Sequence, residues 1–250
     1  VLEVHEALTR LLDAVSPLPA VSVPLHEALG LTLAERIVAD RDFPPSDRSA
    51  MDGFAVRAAD CAQAGRALRV TGEMRAGQDA AGTSVGAGEA VRIFTGALVP
   101  RGADAVVMVE LTEEAREAGT VVVKEPVAFG QHIRHRAEDI RAGETVLEPG
   151  TVVRPTEVAA LAAVGSTRVR VVRPPRVAVI STGDEVVEAE VNPAPHQVRN
   201  SNAGMLLAQL RTMRAEARYL GIARDDRDAL DAMIADGVTA DVLMLTGGVS

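Results

Sequence analysis

Apolar residues recur at Val4, Leu8, Leu11, Leu12 and Val15, a three-and-four spacing that predicts a helix over Leu2–Val15. Pro17 and Pro19 end it, because proline lacks the N–H that a further turn needs. Val21–Pro24 reads as a short extended piece, and Leu25–Ala39 as mainly helical despite Gly30. After Arg66 the texture changes. Short β-type runs at Leu68–Thr71, Ala90–Thr95, Ala105–Glu110 and Thr120–Lys124 are separated by glycine-rich turns, which predicts a small, mostly β module. Helical spacing resumes over Pro155–Val164, with Pro155-Thr156 as its start signal and Gly165 as its stop.

Arg173-Pro174-Pro175 is a stiff linker, and a third texture follows it. Val177–Ile180 is a short β-branched run of the kind found in buried parallel strands. Ser201–Ala215 is an amphipathic helix with Met205, Leu206, Leu210 and Met213 on one side. Ala217–Ile222 is a second strand, Asp226–Ala235 a second helix whose acidic start suits the helix dipole, and Val242–Leu245 a third strand. Strand–helix–strand–helix–strand predicts a doubly wound parallel sheet, so the chain reads as an α/β multidomain protein that also carries a mostly β module and helical and extended segments.

Composition narrows the function. The 250 residues carry a formal net charge of −9, against a general surface for nucleic acid or anionic membrane. One tyrosine, four phenylalanines and no tryptophan leave little to stack on bases. The single cysteine, Cys61, excludes an internal disulfide or a multi-cysteine metal site. No apolar run approaches the roughly 18 residues of a membrane span, and no secretory start is visible, so a cytoplasmic location is expected.

In doubly wound sheets ligands bind beyond the carboxyl ends of the strands. Here those ends read Ser181-Thr182-Gly183-Asp184-Glu185, then Gly221-Ile222-Ala223-Arg224-Asp225-Asp226, then Thr246-Gly247-Gly248-Val249-Ser250. A dinucleotide fold would carry Gly-x-Gly-x-x-Gly after the first strand, and its absence disfavours a nucleotide-binding oxidoreductase. Asp184 and Glu185 repel phosphate unless a divalent cation lies between. Hard oxygen donors favour Mg²⁺ over zinc. The Gly247-Gly248-Val249-Ser250 loop offers backbone N–H groups and a hydroxyl to an anion. A metal-bridged phosphate ester is the ligand class these ends predict. His132 and His135, with no cysteines nearby and no i, i+4 spacing, do not make a metal site.

The stretch Pro44–Arg57, Pro-Pro-Ser-Asp-Arg-Ser-Ala-Met-Asp-Gly-Phe-Ala-Val-Arg, opens with two prolines that fix an extended backbone. Ser46, Asp47 and Ser49 then hold a compact loop, and Asp52-Gly53 signals a turn into a strand carrying Phe54 and Val56. This block resembles the N-terminal motif of the molybdopterin molybdenumtransferases, or molybdenum insertases, a family that includes a domain of gephyrin. Other segments stand in the family's order: Arg92–Ala97 with Gly102–Val107, Ile133–Ile140, Ser-Thr-Gly-Asp-Glu at 181–185, Ser201-Asn202, Arg224-Asp225-Asp226 and Gly-Gly-Val-Ser. Ala137 stands where the family's counterpart of the Ile133–Ile140 block has glycine. Arg134 and Arg136 in it fit two readings, attraction of an anion or pairing with Glu138 and Asp139.

The resemblance implies insertion of molybdate into adenylylated molybdopterin with release of AMP and involvement of Mg²⁺. Asp52, Thr95, Glu185 and Asp226 would be catalytic. Asp139, Ser181, Thr182, Gly183, Asn202, Gly247, Gly248 and Ser250 would bind substrate, and Asp184, Glu185, Asp225 and Asp226 would serve the metal. The implied layout is a scaffold split over 1–43 and 136–173, the β module at 44–135, and the first part of a molybdopterin-binding domain at 174–250. It also implies a homodimer, in which the β module of one subunit faces the substrate domain of the other, and the molybdopterin adenylyltransferase as a further partner. In the family the last loop continues with Val-Gly-x-x-Asp, more of the domain and a β-barrel, so a longer native chain is expected. The alternatives are a catalytically incomplete fragment or a gephyrin-like scaffold.

Overall fold

A computed structural model describes residues 2–247. In chain order the elements begin with helix α1 (Val4–Ala14) and strand β1 (Ala20–Pro24). Six strands of four or more residues follow: β2 (Gly53–Val56), β3 (Ala67–Met74), β4 (Glu89–Ile93), β5 (Ala105–Met108), β6 (Thr112–Ala115) and β7 (Thr120–Val123). Then come α2 (Pro155–Ala163), β8 (Arg168–Val172), β9 (Arg176–Thr182), α3 (Ser201–Thr212), β10 (Glu216–Ala223), α4 (Arg227–Gly237) and β11 (Val242–Thr246). The chain divides into two compact units. One is Val38–Thr145; the other joins the segment up to Ile37 with the segment from Val146 onward.

Val38–Thr145 is built on a curled six-stranded mixed sheet in the order β5-β2-β4-β3-β7-β6. β2 is buried along its whole length because both of its faces meet a core. Phe54 and Val56 pack with Leu68, Val107, Val121 and Cys61 on one side. Ala55 packs with Val91, Ile93, Val106 and Met74 on the other. Gly53 belongs where it is for lack of space: a Cβ there would lie 1.8 Å from the Val107 carbonyl oxygen of neighbouring β5. Arg92, directly opposite Phe54 in the register, lays its guanidinium over that ring at 5.0 Å and pairs with Glu114. β6, largely polar, gives no sequence signal, and it forms the edge of this sheet by pairing with β7.

In the other unit, β1 and β8 form an antiparallel pair and α2 starts at Pro155. Glu157 reaches back to accept the Arg154 backbone N–H (2.9 Å) and grips its guanidinium. The predicted helix over Leu25–Ala39 is not formed: only Leu25–Glu27 makes a 3₁₀ turn. Gly30 adopts φ +79°, and Thr32 and Leu33 make single bridges to Val152 and Val171. Leu31, Leu33, Ile37 and Ala39 are buried, a mostly two-residue spacing that belongs to extended chain.

The parallel sheet has the order β10-β9-β11 with both pairings parallel, flanked by α3 and α4. β9 is central, and Val177–Ser181 are buried. α3 ends at Thr212, short of the predicted Ala215, and its inward face is only in part the predicted one. Ala203 is buried and Leu206 and Leu210 are half-buried, whereas Met205 and Met213 are exposed.

Candidate functional site

The strand order decides where a ligand can sit. β9 lies between the other two strands, so the ends of β10 and β11 are about 9–10 Å apart on opposite sides of it. After β9 the chain goes to one side and then the other, and the gap between β9 and β11 is the switch point where such sheets bind ligands. A cleft of about 250 Å³ opens there. Ser181, Thr182, Thr246 and Gly247 form its floor, the start of α3 with Asn200 and Asn202 one wall, and Glu185 another. A larger hollow of about 390 Å³ lies at the opposite end of the strands, beside Arg176, Glu216 and Thr239, where no candidate residue falls.

The cleft is polar and pre-ordered. Thr182 Oγ1 donates to the Thr246 carbonyl (3.2 Å), and Thr246 Oγ1 donates to Ser181 Oγ (3.1 Å), so hydroxyls tie the two strand ends together. Gly247 has φ +106°, and a Cβ there would lie 2.6 Å from the Thr182 carbonyl oxygen. The Glu185 carboxylate folds back over Gly183, close enough that a Cβ on that glycine would meet Oε2 at 2.6 Å. Asn200 caps α3, its Oδ1 accepting the Ala203 N–H (3.2 Å), and it is buried. Sequence reasoning chose Asn202 and passed over Asn200. The signal was present in Asn200-Ser201-Asn202, where either asparagine can precede a helix.

Of the candidates in this unit, Ser181, Thr182, Glu185, Asn202 and Gly247 share the cleft, and Gly183 adjoins it. Asp184, Asp225 and Asp226 do not line it. Asp184 Oδ1 accepts the Asp225 N–H (3.2 Å), and its carbonyl accepts Arg224 Nη1 (2.7 Å), so this group gathers between β9 and β10. Asp226 is the N-cap of α4, accepting the Ala229 N–H (2.8 Å). The three strand ends predicted to carry ligand groups therefore do not share one crevice: two surround the cleft, and the third joins Asp184 beside it. Gly248 and Ser250 lie outside the described residues.

Asp52, Thr95 and Asp139 belong to Val38–Thr145. Thr95 donates both its backbone N–H (2.7 Å) and its hydroxyl (2.8 Å) to Asp52 Oδ1. Those two bonds, the backbone one foremost, hold the Asp52 carboxyl below the ordinary aspartate range. The result is an exposed, charged carboxylate of fixed aim. The Pro44–Arg57 block is anchored by the segment around Ala137: Pro44 O accepts the Ala137 N–H (3.0 Å), and Asp47 accepts the Arg136 N–H (2.8 Å). Ala137 keeps φ +60°, the left-handed conformation glycine would take. Arg134 pairs with Asp139 at 2.5 Å, as one of its two readings has it, whereas Arg136 pairs with Asp42 and not with Glu138 or Asp139.

Residues 2–165 match the family described as MoeA N-terminal region (domain I and II), and residues 178–250 match "Probable molybdopterin binding domain". The chain belongs to the molybdopterin molybdenumtransferase family. It is 36% identical over 99% of its length to the molybdopterin molybdenumtransferase of Staphylococcus aureus, of which it spans 59%. It is 42% identical over 91% of its length to that of Bacillus subtilis, of which it spans 54%. Among solved structures, the molybdopterin biosynthesis moeA protein of Pyrococcus horikoshii OT3 superposes with a TM-score of 0.89 at 36% identity, over 98% of this chain and 66% of that one. The chain thus spans less than two thirds of these family members.

Proposed function

We propose that the protein acts in molybdenum cofactor biosynthesis, inserting molybdate into adenylylated molybdopterin with release of AMP. The observation that carries this reading is the cleft at the β9–β11 switch point in a chain of this family: hydroxyls, a glycine and a helix N-terminus suit the anionic end of a phosphorylated pterin. Ser181, Thr182 and Gly247 bind and orient that end. Asn202 extends the contact from the first turn of α3. Asp52, aimed by Thr95, is a charged hydrogen-bond acceptor that orients the reacting substrate, and Asp139 serves substrate binding by holding Arg134, whose guanidinium draws anionic groups.

The acidic set supports a Mg²⁺ shared with substrate over one held by protein alone. Among the described residues no three acidic, histidine or cysteine side chains converge as a cage, and the Asp226 carboxylate is engaged as a cap. Mg²⁺ commonly takes one or two carboxylates plus phosphate oxygens and water. Glu185, the one member of the acidic set that lines the cleft, would hold it, and the ion would supply charge neutralisation at the phosphates.

We also propose a homodimer. The apolar stripe of α1, Leu8, Leu11 and Leu12 among it, is exposed along its length, which supports cover by a second copy. Among the described residues no helix is long and apolar enough to cross a membrane. A cytoplasmic location, the adenylyltransferase as partner, and a separate substrate domain beginning at 174 remain part of this proposal. The test is molybdate-dependent conversion of adenylylated molybdopterin by the full-length protein, with Glu185→Ala as control. Conversion by wild type and its loss in the variant are expected; no conversion by wild type would favour the scaffold reading.

A further inference from the structure

Behind the cleft, five side chains form a hydrogen-bond chain with one direction. Thr246 Oγ1 donates to Ser181 Oγ, which donates to Asn200 Oδ1 (3.1 Å each). Asn200 Nδ2 donates to the Tyr219 hydroxyl (2.7 Å), and that hydroxyl donates to Glu188 Oε1 (2.9 Å). Asn200 Oδ1 also accepts the Ala203 N–H that starts α3, so turning the amide end for end would set two N–H donors against each other.

Tyr219, the chain's one tyrosine, is the far partner that holds the amide this way round. It sits on β10 and does not line the cleft. Its hydroxyl nevertheless joins three things: the strand that carries it, the capped start of α3, and the segment beginning at Glu188. That segment leaves the short ladder pairing Val186–Val187 with Val198–Arg199, and Val186, Val198 and Arg199 are cleft wall. The Val187 carbonyl accepts the Asn200 N–H (2.8 Å), closing the circuit. Burial, with the neighbouring Glu188 carboxylate second, pushes the phenol up to about 12, so the hydroxyl keeps its proton at neutral pH.

We infer that Tyr219 is a positioning residue for this cleft: through Asn200 its hydroxyl sets the aim of Ser181 and of the α3 N-terminus toward the ligand's anionic end. This rests on the reading that the cleft holds phosphorylated molybdopterin. Replacement by phenylalanine keeps the ring and removes the bond, leaving Asn200 Nδ2 without its partner.

Two readouts on the full-length protein separate this role from one in the fold alone. In ligand-free protein, amide exchange at the first turn of α3, Ala203 foremost, should accelerate in Tyr219→Phe, and less so in Glu188→Ala. It should stay as wild type in Glu188→Gln, whose carbonyl still accepts from the phenol. Molybdopterin affinity should weaken by roughly 3- to 10-fold in Tyr219→Phe, the worth of one neutral hydrogen bond, and stay within about 2-fold in Glu188→Gln. Tyr219→Phe/Glu188→Ala should be no worse than Tyr219→Phe, because the two act through one chain. Faster exchange with unchanged affinity would overturn the proposal, as would additive losses in the double variant. Wild-type protein that binds no molybdopterin would overturn the ligand assignment of the cleft, and the exchange pattern would then by itself decide whether Tyr219 orients Asn200.

Discussion

A single threonine sets the state of the carboxylate in the Pro44–Arg57 block. Asp52 accepts two bonds from Thr95, and its lowered pKa means that folding favours the ionised form. The stabilisation is present above the ordinary aspartate value of about 3.9 and is lost as pH falls through the folded one. Thr95→Val removes the hydroxyl and keeps the backbone N–H. Asp52 should then titrate above its wild-type position and still below an unbonded aspartate, as followed by NMR of the carboxyl carbon. A residue of the opposite kind is Ala137, held at φ +60°. Ala137→Gly should stabilise the protein by about 0.5–1 kcal/mol, since a left-handed alanine costs more than glycine's extra unfolded freedom. A thermal melt checks it, and no gain would mean the strain is absorbed locally. Asp52 and Thr95 were legible because the motif fixes them. Asn200 was not, because cap identity depends on a helix start that sequence places only within one or two residues.

At the scale of elements, two helix starts carry the chemistry of their neighbourhoods. Glu157 closes the start of α2, and its bonds, the Arg154 guanidinium first, draw its pKa down to about 2. That stabilisation should be full above about 4.5 and disappear as pH falls toward 2; Glu157→Gln should flatten the stability–pH curve across this window. Asp226 starts α4 and is also a candidate for the reaction. Asparagine caps as well as aspartate, so Asp226→Asn should change stability by less than about 0.5 kcal/mol. A fall in conversion at that unchanged stability would come from the lost charge; unchanged conversion would reduce Asp226 to a cap. The strand–helix alternation after Pro175 was readable because each element is periodic and bounded by turn residues. Leu25–Ala39 misled because its leucines and alanines are good helix formers, while bridges to Val152 and Val171, distant in sequence, hold it extended.

For the whole molecule, the sequence yields the kinds of unit but not the geometry inside them. The order β10-β9-β11 is a long-range fact, and it separates Asp226 from the cleft that strand ends alone appeared to share. Association is the other property at this scale. Leu8→Glu/Leu11→Glu places charge on the exposed stripe of α1; if the proposed homodimer forms through it, sedimentation should show dimer in wild type and monomer in the variant, with the circular dichroism unchanged. Persistent dimer would put the interface elsewhere.

If the β9–β11 cleft receives the anionic end of molybdopterin, as proposed, equilibrium binding to the full-length protein will depend on the cleft's own residues. Gly247→Ala, which drives a methyl into the Thr182 carbonyl, should weaken molybdopterin binding by about tenfold or more, the equivalent of roughly 1.4 kcal/mol. Arg218→Gln, at the hollow on the far end of the sheet, should leave binding unchanged. Equal affinity in Gly247→Ala and wild type, or a loss confined to Arg218→Gln, would mean that molybdopterin binds elsewhere.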